Sequence, residues 1–172
     1  TDYATIKRRF GDFYLHILNY HAAIFHGRRA EWINKEPPYG RHADELIAMV
    51  PNARLVVLVR DGRATALSMY KRNWMDSVRG CMERWGHFAA MTADAVSRCP
   101  AENVMTVRYE ELVRDFENEL PRIFRFLDLP EPDLAQLTGA ADTSLRPQPA
   151  SLDRWKDEIS RDDVRWFDET YG

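Results

Sequence analysis

Arg60, Ser68 and Arg72 are three anion-binding residue types set close together in the chain. Arginine offers planar, bidentate, permanently charged recognition of phosphate, and a serine hydroxyl adds a neutral donor. Ser68 and Arg72 are four apart, so on a helix they share one face. Arg60 directly follows the apolar run Leu55-Val56-Val57-Leu58-Val59, which has the length and β-branched character of a strand. In open α/β sheets, ligands bind just beyond the carboxyl ends of strands, so the three side chains can converge on one anion. Each has a plainer reading alone: Arg60 in an ion pair with Asp61 or another carboxylate, Arg72 as a solvated helix residue, Ser68 likewise. Their joint placement favours the anion site.

Such a site needs a strand, a turn and a helix in that order, and the surrounding pattern supplies them. Arg54 to Val59 reads as a strand buried on both faces, as in a parallel sheet. Asp61-Gly62 turns the chain, and Ala64 to Arg72 is helical. Upstream, Ile6, Phe10, Phe13, Tyr14, Ile17, Ile24 and Phe25 recur at helical spacing and predict an amphipathic helix over residues 3–26. Glu31 to Gly40, with Pro37 and Pro38, leaves regular structure. Arg41 to Val50 forms a short helix that ends near Pro51-Asn52.

Downstream, Val78, Cys81, Met82, Trp85, Phe88, Ala89 and Ala95 predict a long helix over 75–97. Asn103 to Arg108 is a second strand. Phe116 to Leu127 is a helix with Ile123, Phe124 and Leu127 inward, and Pro121 either starts its regular part or kinks it. Ser160 with Asp163 resembles a capping box opening a terminal helix. Strands alternating with helices predict an α/β fold with a parallel sheet flanked by helices, as one domain over residues 1–172. The most linker-like stretch is Gly139 to Ala150.

Composition narrows the function classes. The chain has 172 residues, 45% hydrophobic and 30% charged, as expected of an ordinary globular domain. A net charge of −3 argues against bulk nucleic-acid binding while leaving room for a local basic pocket. No apolar stretch reaches the roughly 18–20 residues of a membrane span, and no signal-peptide pattern opens the chain. Thr1 rather than Met begins it, which reads as an excerpt or a processed product. Cys81 and Cys99 on one helix would lie about 27 Å apart, too far for a disulfide. No metal-ligand spacing occurs. Abundant Ala, Arg and Asp and the expected lack of a disulfide suggest a bacterial cytoplasm, with a Golgi lumen as the alternative if an anchor has been lost.

Pro51-Asn-Ala-Arg-Leu-Val-Val-Leu-Val-Arg-Asp-Gly-Arg-Ala64, followed by Ser68, resembles the 3′-phosphate-binding motif of sulfotransferases that use 3′-phosphoadenosine 5′-phosphosulfate (PAPS). The nearest likeness is to the tyrosylprotein sulfotransferases and their bacterial relatives. Asn34-Lys35-Glu36-Pro37 is similar to the family's Asn-Lys-Asp-Pro. Val107-Arg-Tyr-Glu-Glu-Leu-Val113 is similar to a strand-to-helix corner, and Phe124-Arg-Phe-Leu-Asp-Leu-Pro130 to the helix end that follows it. Cys81-Met-Glu-Arg-Trp85 resembles a family helix. Arg146-Pro147 with Leu152-Asp-Arg-Trp155 resembles a Lys-Pro and Leu-Ser-Lys-Trp region. The likeness runs over about residues 31–171.

The resemblance implies a P-loop-like core. It also implies PAPS as cosubstrate, with adenosine 3′,5′-bisphosphate (PAP) as product, and no metal. Arg60, Ser68 and Arg72 would hold the 3′-phosphate, Tyr109 and Arg146 would line the rest of the cofactor pocket, and Lys35 would stabilise charge at the transferring sulfuryl group. The acceptor stays open among a peptide tyrosine, a carbohydrate and a small metabolite. Without the family, Lys35 reads as a loop lysine, and Tyr109 and Trp85 as core aromatics.

Three departures stand out. The family's Gly-containing phosphosulfate loop, between a strand and a helix, has no counterpart here, and the family's general base, a Glu or His, lies upstream of the lysine motif. Asp153 stands at the serine of Leu-Ser-Lys-Trp. Arg146 replaces a lysine, which keeps charge and changes geometry. Ser144 is the nearest candidate for a serine that assists transfer. The missing loop keeps a second expectation in play: a non-catalytic domain that binds a 3′-phosphorylated nucleotide or a partner protein. A P-loop kinase or NTPase fragment fits less well, because no Asp pair is placed for Mg²⁺.

Overall fold

Two secondary-structure periodicities, a helical one and one short apolar strand pattern, account for the elements of the chain. The structure, a computed structural model, describes residues 2–26, 33–134 and 152–172. Their order is α1 (Tyr3–His26), a 3₁₀ turn (Pro37–His42), α2 (Ala43–Met49), β1 (Leu55–Val59), α3 (Gly62–Lys71) and α4 (Val78–Ser97). Then follow β2 (Val104–Arg108), α5 (Tyr109–Arg114), α6 (Phe116–Leu127), α7 (Trp155–Glu158) and α8 (Arg161–Tyr171). The stretch Gly139 to Ala150, with Ser144 and Arg146, lies outside the described residues. Internal contacts divide the chain into two units, Thr1–Leu55 with Met91–Val104, and Val56–Ala90 with Met105–Gly172.

In the first unit, α1 begins where the Asp2 carboxylate accepts the Thr5 amide N–H at 2.8 Å, which satisfies one of the orphan donors of a helix start. Gly11 lets α1 lie on α2, since a Cβ there would stand 1.9 Å from the Met49 carbonyl oxygen. The apolar stripe that predicts α1 faces outward: Ile6 is 52% exposed, Phe10 59%, Phe13 60% and Ile17 48%. Pro37 and Pro38 enter the 3₁₀ turn instead of an irregular loop, because proline is tolerated at the first positions of a helical turn, where its missing N–H has no partner to lose. Asn103 donates to the carbonyls of Pro51 and Ala53, at 2.9 and 2.8 Å, and so holds the turn ahead of β1.

The second unit carries the sheet and the main core. β1 and β2 form a two-stranded parallel sheet with α3 and α4 in the crossover. Ala66 and Leu67 of α3, Cys81 and Met82 of α4, Ile159, and Phe167 of α8 make the buried cluster. Trp85, Trp155, Val164 and Trp166 pack around it. Both cysteines are free. The expectation that β1 is buried on both faces is corrected: Val56 is 36% exposed and Leu58 54%. Among the described residues the sheet stops at two strands, so part of this apolar run has nothing laid over it. Pro121 sits inside α6 and gives up one backbone hydrogen bond there. Ser160 caps α8 by accepting the Asp163 N–H at 3.1 Å.

Candidate functional site

The end of β1 is built by its neighbours before any ligand is considered. Asp61 is the N-cap of α3 and accepts the amides of Arg63 at 2.8 Å and Ala64 at 3.3 Å. Its own N–H donates to Glu110 Oε1 at 2.9 Å, so the first turn of α5 and the end of β1 are tied together. The Arg63 guanidinium bonds Asp61 Oδ2 at 2.7 Å and Asp168 Oδ1 at 2.8 Å, and lies over the Trp155 ring at 3.9 Å. The ion pair anticipated at Asp61 is therefore made by Arg63. The Arg60 guanidinium lies over the Tyr109 ring, 4.8 Å from its centre. Gly62 is needed at this corner, because a Cβ would stand 2.5 Å from Phe167 and 2.6 Å from Trp85.

Arg60, Ser68 and Arg72 line one cavity of about 160 Å³. Pockets for drug-sized ligands run to about 300–1,000 Å³, so this one suits a single group such as a phosphate. Ala64 and Leu67 of α3 form its apolar floor, and Lys71, Arg154 and Trp155 complete the wall. Four of the eight lining residues are cationic, and the cavity opens to solvent. Asp61 takes two amides in the first turn of α3, so the attraction for an anion comes from side chains and not from the helix N-terminus. Lys71 and Arg72 end α3, where positive charge also complements the helix dipole.

The structure brings Arg60, Ser68 and Arg72 together, and Tyr109 joins them through Arg60. Lys35 is exposed in the segment before the 3₁₀ turn, in the first unit, and its neighbour Asn34 donates to the Tyr39 hydroxyl at 3.3 Å. Arg146 lies outside the described residues. Three wall residues were not singled out from the sequence as ligand contacts. Lys71 is three beyond Ser68 and so on the same helix face, a signal that was available. Arg154 and Trp155 lie far along the chain, and only folding shows that α7 reaches this cavity. Among the described residues no cluster of side chains could hold a metal ion.

Asp61 also gives a pH signature. Burial pushes its carboxyl up, but the hydrogen bonds and charge of Arg63, with the two capped amides, outweigh this and hold it below the ordinary aspartate range. A carboxylate depressed by folding stabilises the protein above its unfolded value, near 3.9, and that stability is lost as pH falls through the lower folded value. Asp61→Ala is expected to cost about 1–2 kcal/mol at neutral pH, the size of a lost N-cap. Urea unfolding followed from pH 7 to pH 3 should show a steeper loss in the native chain than in Asp61→Asn.

Residues 3–133 match the family model described as "Sulfotransferase family". The chain is 32% identical over 147 residues to protein-tyrosine sulfotransferase A of Caenorhabditis elegans, covering 79% of this chain and 37% of that protein. It is 28% identical over 164 residues to protein-tyrosine sulfotransferase of Drosophila melanogaster, covering 81% and 33%. The chain thus spans about a third of the length of these curated relatives. Among solved structures, the sulfotransferase domain from the Synechococcus PCC 7002 olefin synthase is similar at a TM-score of 0.69 and 25% identity. That likeness covers 94% of this chain and 63% of that one. The sulfotransferase domain from the curacin biosynthetic pathway has a TM-score of 0.63 at 18% identity, covering 91% and 66%, which speaks to the fold alone.

Proposed function

Because the chain belongs to the sulfotransferase family, we propose that it works in sulfuryl transfer from PAPS to a hydroxyl or amine acceptor, and that its own share is to hold the nucleotide by its 3′-phosphate. The observation that carries this reading is the meeting of Arg60, Ser68 and Arg72 on one phosphate-sized cavity. PAPS supplies the sulfuryl group, and PAP leaves. Arg60 and Arg72 neutralise and orient the 3′-phosphate through charge-assisted hydrogen bonds, and the Ser68 hydroxyl donates a further one. Tyr109 fixes the plane of the Arg60 guanidinium by stacking, so that less side-chain freedom is lost on binding. Arg146 is assigned to the remaining cofactor contacts and Lys35 to charge at the transferring group. Both assignments rest on the family motifs. In-line transfer depends on such positioning and charge neutralisation.

Calorimetric titration of PAP against ADP tests the reading, since ADP lacks the 3′-phosphate. The folded chain is expected to bind PAP at least about tenfold more tightly, the contribution of one charge-assisted contact or more. Equal binding of the two nucleotides, or none, overturns it.

A further inference from the structure

Two of the cations that line the cavity share a carboxylate that is not itself part of the lining. Glu158, at the end of α7, forms an ion pair with Lys71 through Oε2 and with Arg154 through Oε1 at 3.1 Å. Both cations line the cavity, so each oxygen of one carboxylate engages one of its four positive side chains. The three side chains come from α3, from the residue before α7 and from the last residue of α7. They are solvated: Lys71 is 42% exposed, Arg154 55% and Glu158 34%. Exposed pairs of this kind contribute little to stability. A carboxylate bonded to two cations has the donor set of a bound phosphate, with half its charge.

Resting on the 3′-phosphate reading above, we propose that Glu158 is a built-in competitor of the phosphate: it holds Lys71 and Arg154 at the cavity and weakens the grip of the site on the nucleotide. With Glu158 present, a dianionic phosphate must share these two cations with a carboxylate and also faces that carboxylate's charge. The strong contacts are then left to Arg60, Ser68 and Arg72. Such a device suits a site that must release PAP after each turnover, because it lowers affinity for cosubstrate and product alike without altering the residues that recognise the 3′-phosphate. Lowering of the Glu158 carboxyl by Lys71 and Arg154 agrees with a group that stays charged at neutral pH.

The test is PAP titration into the native chain, Glu158→Gln, Lys71→Met and the double variant, at two salt concentrations. Gln keeps the shape and removes the charge. Glu158→Gln is expected to bind PAP about three- to tenfold more tightly, with a steeper loss on adding salt, as for a nearby like charge removed from a solvated anion site. Adding Lys71→Met should return the affinity to near the native value. Unchanged or weaker binding in Glu158→Gln overturns the proposal, and weaker binding identifies Glu158 as a positioning residue instead. Inorganic phosphate is titrated in parallel to separate the two readings. If the native chain fails to distinguish PAP from ADP while Glu158→Gln still tightens phosphate binding, the nucleotide reading falls and the competitor role stands. If phosphate binding is indifferent to the substitution, the competitor role falls.

Discussion

Arg60→Ala is expected to weaken PAP binding by roughly thirty- to a hundredfold while leaving ADP binding unchanged. A buried or half-buried hydrogen bond to a charged group contributes about 1.5–3 kcal/mol, and Arg60 can present two such bonds in one plane. Its position adds to the effect. Arg60 lies at the carboxyl end of β1 with its guanidinium over Tyr109, so neither Lys71 nor Arg154, which are tied to Glu158, can replace its geometry. Arg60→Lys should recover only part of the loss, because an ammonium is a point charge without the planar fork. Ser68→Ala should cost several-fold less than Arg60→Ala. Calorimetry on both nucleotides is the measurement, with a melting curve to show that the variant folds. Loss of PAP and ADP binding together would mean a collapsed pocket, and no loss of either would remove Arg60 from the site.

Phe167→Ala is expected to destabilise the second unit by about 3–5 kcal/mol, the usual cost of emptying a buried aromatic position. Phe167 is 6% exposed and packs against Trp85 at 5.5 Å and Tyr171 at 5.2 Å between ring centres. It also lies against Gly62, next to the Asp61 cap, and beneath the Arg63 guanidinium. The void would therefore open directly behind the corner that positions Arg60. Urea unfolding followed by tryptophan fluorescence would show the shift, since Trp85, Trp155 and Trp166 all surround the site of substitution. Phe167→Leu should cost distinctly less, because it keeps most of the volume. A fall in PAP affinity well beyond the unfolded fraction would show that the core sets the site's geometry.

Much of this arrangement is legible in the chain because local rules agree with the fold. The stripe from Ile6 onward predicts α1 over the residues it occupies, Ser160 marks the start of α8, and α6 runs over Phe116–Leu127 as its pattern implies. The spacing of Arg60, Ser68 and Arg72 points to one anion site because a strand end and one helix face are short-range geometry. The rest depends on tertiary packing. Trp155 enters the cavity wall from α7 and Arg154 from the residue before it, and no local period carries that information. Arg63 outcompetes Arg60 for Asp61 because the cap already places its backbone two residues along, a contest that sequence adjacency does not decide. The apolar run of β1 shows that the strand suits burial, but not which of its neighbours supply the cover.

That last feature has a practical side. Val56 and Leu58 sit exposed on a sheet only two strands wide among the described residues, and an uncovered β-branched strand is a template on which further strands of other molecules can add. Among the described residues, the apolar face of β1 is therefore where self-association of the isolated chain is expected to begin, on the strand that brings Arg60 to the cavity. Low concentration and a charged residue at position 58 are expected to act on this surface, since Leu58 is exposed and does not line the cavity.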